Sequence, residues 1–212
     1  MLLDITLNWM SNYLKRATPD EWLYTVCDLN YDDENEELLY WIIRQPQCEK
    51  AVALALYWRL NPGYYAQYEY RDSIKSAHEK VTFDLLKEVE TKYQDGFYKN
   101  TTLGFDPAKD FVVDGAQDYA YDWTKVYEGN QLKRKLPDLM KVKIVGSDVN
   151  RDKFKGWIDG MPPVVWDKFN KCADSMPRIM THVLLAATFN KVVKIFGAQA
   201  SVASISKRRV CK

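Results

Sequence analysis

Two histidines in 212 residues leave this chain poor in the side chain that most often serves as a general base or zinc ligand. His78 and His182 stand apart on separate predicted helices, so each reads as a structural or surface residue. The sequence therefore nominates no catalytic residue, no metal ligand set and no cofactor. Its nine glycines form no Gly-x-Gly-x-x-Gly or Walker-type loop, and no Gly-x-Ser-x-Gly elbow occurs. These absences exclude the readily recognised dinucleotide-binding, P-loop and α/β-hydrolase classes. Cys27, Cys48, Cys172 and Cys211 are widely spaced with no Cys-x-x-Cys pair, which predicts reduced thiols in a chain too long to need disulfide staples. The longest apolar run, from Ala51 to Trp58, falls far short of the roughly 18–20 residues of a membrane span. The first residues meet Asp4 without a basic stretch before it, unlike a secretory signal. A soluble, cytoplasmic protein without a membrane partner is expected. The net charge of +1 supplies no general field for nucleic acid.

Aromatic side chains are abundant: fourteen Tyr, eight Phe and seven Trp give ample core material, and Tyr and Trp also suit recognition surfaces. A single domain over 1–212 is expected at this length. Charge is distributed unevenly. Residues 1–100 carry 11 Lys+Arg against 17 Asp+Glu, and residues 101–212 carry 19 against 12. Such asymmetry fits either an acidic binding face or attraction between the two halves of one folded chain.

The spacing of Leu3, Leu7, Met10 and Leu14 predicts a first helix. Thr18-Pro19-Asp20-Glu21 is a capping box with proline at the first helical position, opening a second through Trp22, Val26 and Leu29. Leu38–Arg44 and Gln47–Leu60 follow, separated by Pro46 and closed by Asn61-Pro62-Gly63; four short antiparallel helices are the simplest packing. Ile74, Ala77, Val81, Leu85, Val89 and Tyr93 predict one long helix over Arg71–Tyr93, with Gly96 placed for a left-handed cap. From Phe97 to Gly160 the helical period is lost, and only Leu139–Val145 alternates like a strand. Helices resume at Val164–Cys172 and over about Pro177–Phe196, before a basic tail containing Lys207, Arg208, Arg209 and Lys212. The fold class expected is mostly α: a helical part over 1–96, an irregular insertion with short strands over 97–160, C-terminal helices over 161–197 and a tail over 198–212. The α+β class is the alternative.

Six carboxylates fall within the ten residues Asp28–Glu37. An EF-hand loop beginning at Asp28 would need glycine at its sixth position and a bidentate glutamate at its twelfth, where this chain has Asp33 and Leu39. The remaining readings are a looser cation site, a solvated turn whose acids favour a helix start, and an acidic recognition surface made by Asp32, Asp33, Glu34, Glu36 and Glu37.

Asn30-Tyr31-Asp32-Asp33, Trp41-Ile42-Ile43, Gln45-Pro46-Gln47-Cys48-Glu49, Ala53-Leu54-Ala55-Leu56-Tyr57-Trp58 and Pro62 form an ordered series of boxes. The series resembles a bacterial family of unknown function, departing from it at Glu34, where the family often has glycine. Families of this kind resemble immunity proteins, which bind and block a toxin delivered by a neighbouring cell. The segments Tyr93–Asn100 and Phe105-Asp106-Pro107 resemble such proteins too. The resemblance implies a cytoplasmic toxin inhibitor acting by direct binding, with a cognate protein toxin as partner; the charge distribution nominates the acidic surface as its contact. It assigns no role to any single residue and leaves the oligomeric state open. An enzyme using the carboxylates of the acidic turn, or a helical scaffold, are the alternatives.

Overall fold

A computed structural model of the chain describes residues 2–31, 35–110, 121–125 and 132–174. Among them the fold is mostly helical, with seven α-helices: α1 (Leu2–Leu14), α2 (Pro19–Asp28), α3 (Glu36–Arg44), α4 (Lys50–Arg59), α5 (Pro62–Tyr65), α6 (Ala77–Gln94) and α7 (Pro163–Asp174). The chain divides into two compact units, Met1–Trp166 and Asp167–Lys212, and the boundary falls within α7. In the second unit only the last turns of that helix are described. The helix expected over 177–196, His182, Cys211 and the basic tail lie outside the described residues.

The helix starts follow their caps. The Thr18 hydroxyl accepts the Glu21 amide, while the Glu21 carboxylate accepts the Thr18 amide at 2.7 Å, completing the capping box. In α4 every residue from Ala51 to Trp58 is buried, as expected of a helix apolar on all sides. It forms the centre of the core, packing against α2 on one side and α6 on another. The closest packing of the first four helices joins α1 to α3 and α2 to α4, so alternate rather than consecutive helices make the main contacts.

Two elements differ from expectation. Arg71–Tyr93 is not one helix: Arg71–Ser73 is a 3-10 turn, Ile74 reaches the core from extended backbone, and Ser76 caps α6 by accepting the Glu79 amide. Ile74 is buried without belonging to the helix whose period it shares. Gly96 takes the left-handed conformation at φ 66° beyond the end of α6, as expected. Leu139–Val145 is not a strand, since Asp138–Lys141 is a 3-10 turn and only Ile144 makes a bridge, with Phe105. Its buried residues, Met140 and Ile144, are four apart rather than alternate.

No sheet forms among the described residues, so the irregular segment must be held by other means. Three buried carboxylates do much of this. Glu49 accepts the amide of Thr102 at 2.9 Å and its hydroxyl at 2.7 Å. Glu90 accepts from Tyr57 at 3.0 Å, Lys87 at 2.6 Å and Arg134 at 2.6 and 2.9 Å. Asp110 accepts from Arg59 at 3.0 Å and from the Trp123 indole at 2.8 Å. Neutral donors complete the attachment: the Trp58 indole binds the Met140 carbonyl at 2.8 Å, and the Tyr98 hydroxyl binds the Ile43 carbonyl at 3.1 Å. Each buried acid thus has the charged or polar partners without which its desolvation would be costly. Together they fasten Tyr98, Thr102, Asp110, Arg134 and Met140 to α3, to α4 with its cap Glu49, and to α6.

Candidate partner-binding site

The acidic stretch is divided by its surroundings. The Asp28 carboxylate accepts the Gly160 amide at 3.0 Å and therefore serves the fold. The Tyr31 hydroxyl donates to the Val26 carbonyl at 2.9 Å, and the Asn35 side chain to the Asn30 carbonyl at 3.1 Å, closing the turn on itself. Asp32, Asp33 and Glu34 lie outside the described residues. Glu36 and Glu37 occupy the first turn of α3, where the helix dipole favours negative charge. Glu36 is half-buried and meets His78 Nδ1 at 2.5 Å, joining the start of α3 to the start of α6. Glu37 is exposed and has no partner among the described residues.

Glu37 borders a groove of about 510 Å³ between α1 and α3. Leu7, Asn8 and Ser11 line one wall; Tyr40, Trp41 and Arg44 line the other. The groove exists because α1 packs on α3 while the half-buried aromatic side chains of α3 are only partly covered. These side chains are held in place. Trp41 lies against Trp22 with ring centres 5.4 Å apart, and the Tyr40 hydroxyl donates to the Val81 carbonyl at 3.2 Å. Arg44 donates twice to Glu88, at 2.9 and 2.7 Å, with its guanidinium 4.5 Å from the centre of the Tyr40 ring. The hydrogen bond from Arg44 holds the Glu88 carboxyl below the usual carboxylate range. The Trp41 indole N–H, by contrast, has no acceptor among the described residues.

Leu54 and Trp58 are fully buried, but Trp41 is half-buried and divides its surface between core and groove. The sequence reading did not anticipate the groove, whose walls belong to helices separated by α2. Nor did it single out Glu49, Glu90 or Asp110, because nothing local distinguishes a buried acid from an exposed one. Cys27, Cys48 and Cys172 are free thiols. Burial pushes the Cys27 thiol up to about 12, the opposite of what a nucleophile needs. Among the described residues no three His, Cys, Asp or Glu side chains are grouped so as to hold a metal ion. No helix among them is long and apolar enough to cross a membrane.

Residues 17–94 match a domain of unknown function (DUF4274). The match begins one residue before the Thr18 cap and ends on the last residue of α6, so it covers five helices and one wall of the groove. No curated protein matches the chain. No solved structure matches it.

Proposed function

We propose that the protein is a cytoplasmic immunity-type inhibitor that neutralises a cognate protein toxin by direct binding, using the α1–α3 groove and the acidic start of α3. The observation that supports this reading is the juxtaposition of fixed aromatic side chains, Tyr40 and Trp41, with the open carboxylate of Glu37. Tyr, Trp and Arg that become fully desolvated on docking dominate the energetics of protein interfaces, and preorganisation lowers the entropic cost of docking. The acidic edge contributes differently. Glu36 and Glu37, extended in sequence by Asp32, Asp33 and Glu34, would steer a partner with a basic active-site surface and compete for its charges.

The test is co-expression with the product of the adjacent gene in the host, followed by surface-plasmon-resonance measurement of the purified pair. Rescue of growth and a stoichiometric complex are expected. Trp41→Ala should weaken the complex at least about thirtyfold, as for a central interface aromatic. Neutral amides at Asp32, Asp33, Glu36 and Glu37 should slow association, with the loss shrinking at high salt. Undiminished toxicity with no complex at micromolar concentration would overturn the proposal.

A further inference from the structure

The segment Leu139–Val145 exposes apolar side chains although its backbone is firmly anchored. Met140 and Ile144 are buried, and the Met140 carbonyl is bound by the Trp58 indole. Ile144 exchanges both backbone hydrogen bonds with Phe105, at 2.9 and 3.1 Å. Between and beside these anchors Val142 is 56% exposed and Val145 83% exposed. Val142 and Val145 thus leave apolar surface beside anchored backbone.

The pairing geometry adds a second observation. In an antiparallel hydrogen-bonded pair, residues flanking the bonded one turn their N–H and C=O groups to the opposite edge. Flanking Ile144 are Lys143 and Val145, and neither makes a backbone hydrogen bond among the described residues. Both are solvent-exposed, so the outer edge of the backbone around this single bridge lies open. Such edges accept an added strand unless they are blocked.

Charge around this edge selects the guest. Lys143 and Val145 also line a cleft of about 520 Å³ floored by Leu23, Phe105 and Ile144. Its charged walls carry Lys109, Lys143 and Arg151 against Asp106 and Asp148; Asp110, also in the cleft, is already engaged by Arg59. Lys143 approaches Asp106 only to 3.9 Å. Lys141 lies on the other flank, reaching Asp138 at 3.8 Å. With Asp110 neutralised by Arg59, three cations face two acids in the cleft, an excess of one positive charge beside the unpaired backbone groups.

We infer that the Lys143–Val145 edge binds an extended acidic segment of a partner protein by strand addition, an apolar residue of the guest packing beside the exposed Val145. This surface is separate from the α1–α3 groove and does not depend on the toxin-binding reading. The full-length, ¹⁵N-labelled protein should be titrated with the blocked hexapeptide Glu-Val-Glu-Val-Glu-Val, using NMR and the anisotropy of a fluorescent version. The largest amide shifts are expected at Lys143 and Val145. N-methylation of the peptide's alternate amides should weaken binding about tenfold, the loss expected for about one net hydrogen bond. Lys143→Glu should weaken the acidic peptide and favour Lys-Val-Lys-Val-Lys-Val instead, with circular dichroism confirming an unchanged fold. No saturable binding up to millimolar peptide would overturn the inference. So would shifts confined to the α1–α3 groove, or indifference to N-methylation, which would leave charge alone as the attraction. Self-association through these amides without peptide would assign the edge to a second copy. Anionic-vesicle binding abolished by Lys143→Glu, without peptide binding, would assign it to a lipid surface. Either result would displace the acidic segment.

Discussion

Replacing Trp58 tests the attachment of the irregular segment to the helical core most directly. The indole is fully buried in α4, and its N–H donates to the Met140 carbonyl 82 residues away at 2.8 Å. Trp58→Ala removes both the ring and the donor. Burial of an aromatic of this size is associated with a loss of about 3–5 kcal/mol on truncation to alanine, because the surroundings only partly close the cavity. The Met140 carbonyl loses this donor as well, and an unsatisfied buried acceptor adds about 1–3 kcal/mol. For a chain of this length each kcal/mol lowers the melting temperature by about 2–4 °C, so the variant should melt at least about 8 °C lower. Trp58→Phe separates the two contributions: it retains most of the ring and should cost about 1–3 kcal/mol, chiefly through the lost hydrogen bond. Urea unfolding followed by far-UV circular dichroism gives the totals, and hydrogen exchange at the Ile144 amide reports whether the anchored loop loosens. A loss below about 1 kcal/mol for Trp58→Ala, or unchanged exchange at Ile144 in Trp58→Phe, would refute the account of how the loop is held.

Glu90→Ala should cost about 3–5 kcal/mol in urea titration, since it removes the carboxylate that the half-buried Arg134 and the Tyr57 hydroxyl share, whereas Lys135→Ala, which removes the exposed Lys135–Asp138 pair, should leave the unfolding midpoint unchanged. The Glu88 carboxyl is depressed in the folded chain, so its stabilising contribution is present above the ordinary carboxylate pKa and is lost as pH falls through the folded value. Glu88→Gln should therefore be less stable than the wild type at neutral pH, by under about 1 kcal/mol because Arg44 is largely exposed, and the difference should vanish in acid when both are melted as a function of pH.

The helical part was legible to the extent that its signals are local. The Thr18–Glu21 capping box, the Asn61-Pro62 break and the Gly96 cap depend on neighbours within a few residues, and each appears where its side chains predict. Failure came where a core contact mimicked a helical period. Ile74 lies three residues before Ala77 and joins the same core, but Ser76 takes the Glu79 amide and starts the helix after it. In Leu139–Val145, alternation suggested a strand, whereas Met140 and Ile144 are drawn inward by Trp58 and Phe105 from remote parts of the chain. The acidic site was legible as composition only. That Glu36 meets His78 while Glu37 faces a groove depends on the packing of α1, α3 and α6, which no sequence window contains.

The buried carboxylates bear on where this chain can be divided. The stretch that matches the domain of unknown function closes neatly at Gln94, a natural place for a helix to finish. Chemically it is unfinished there. Glu49, Glu90, Arg59 and Trp58 all lie inside the stretch, yet they meet Thr102, Arg134, Asp110 and Met140 beyond it. A fragment cut at that helix end would keep an interior shaped for ions and donors that are no longer attached, and would have to admit water or repack around them. The match thus ends at residue 94, but the contacts that its buried side chains make extend at least to Met140.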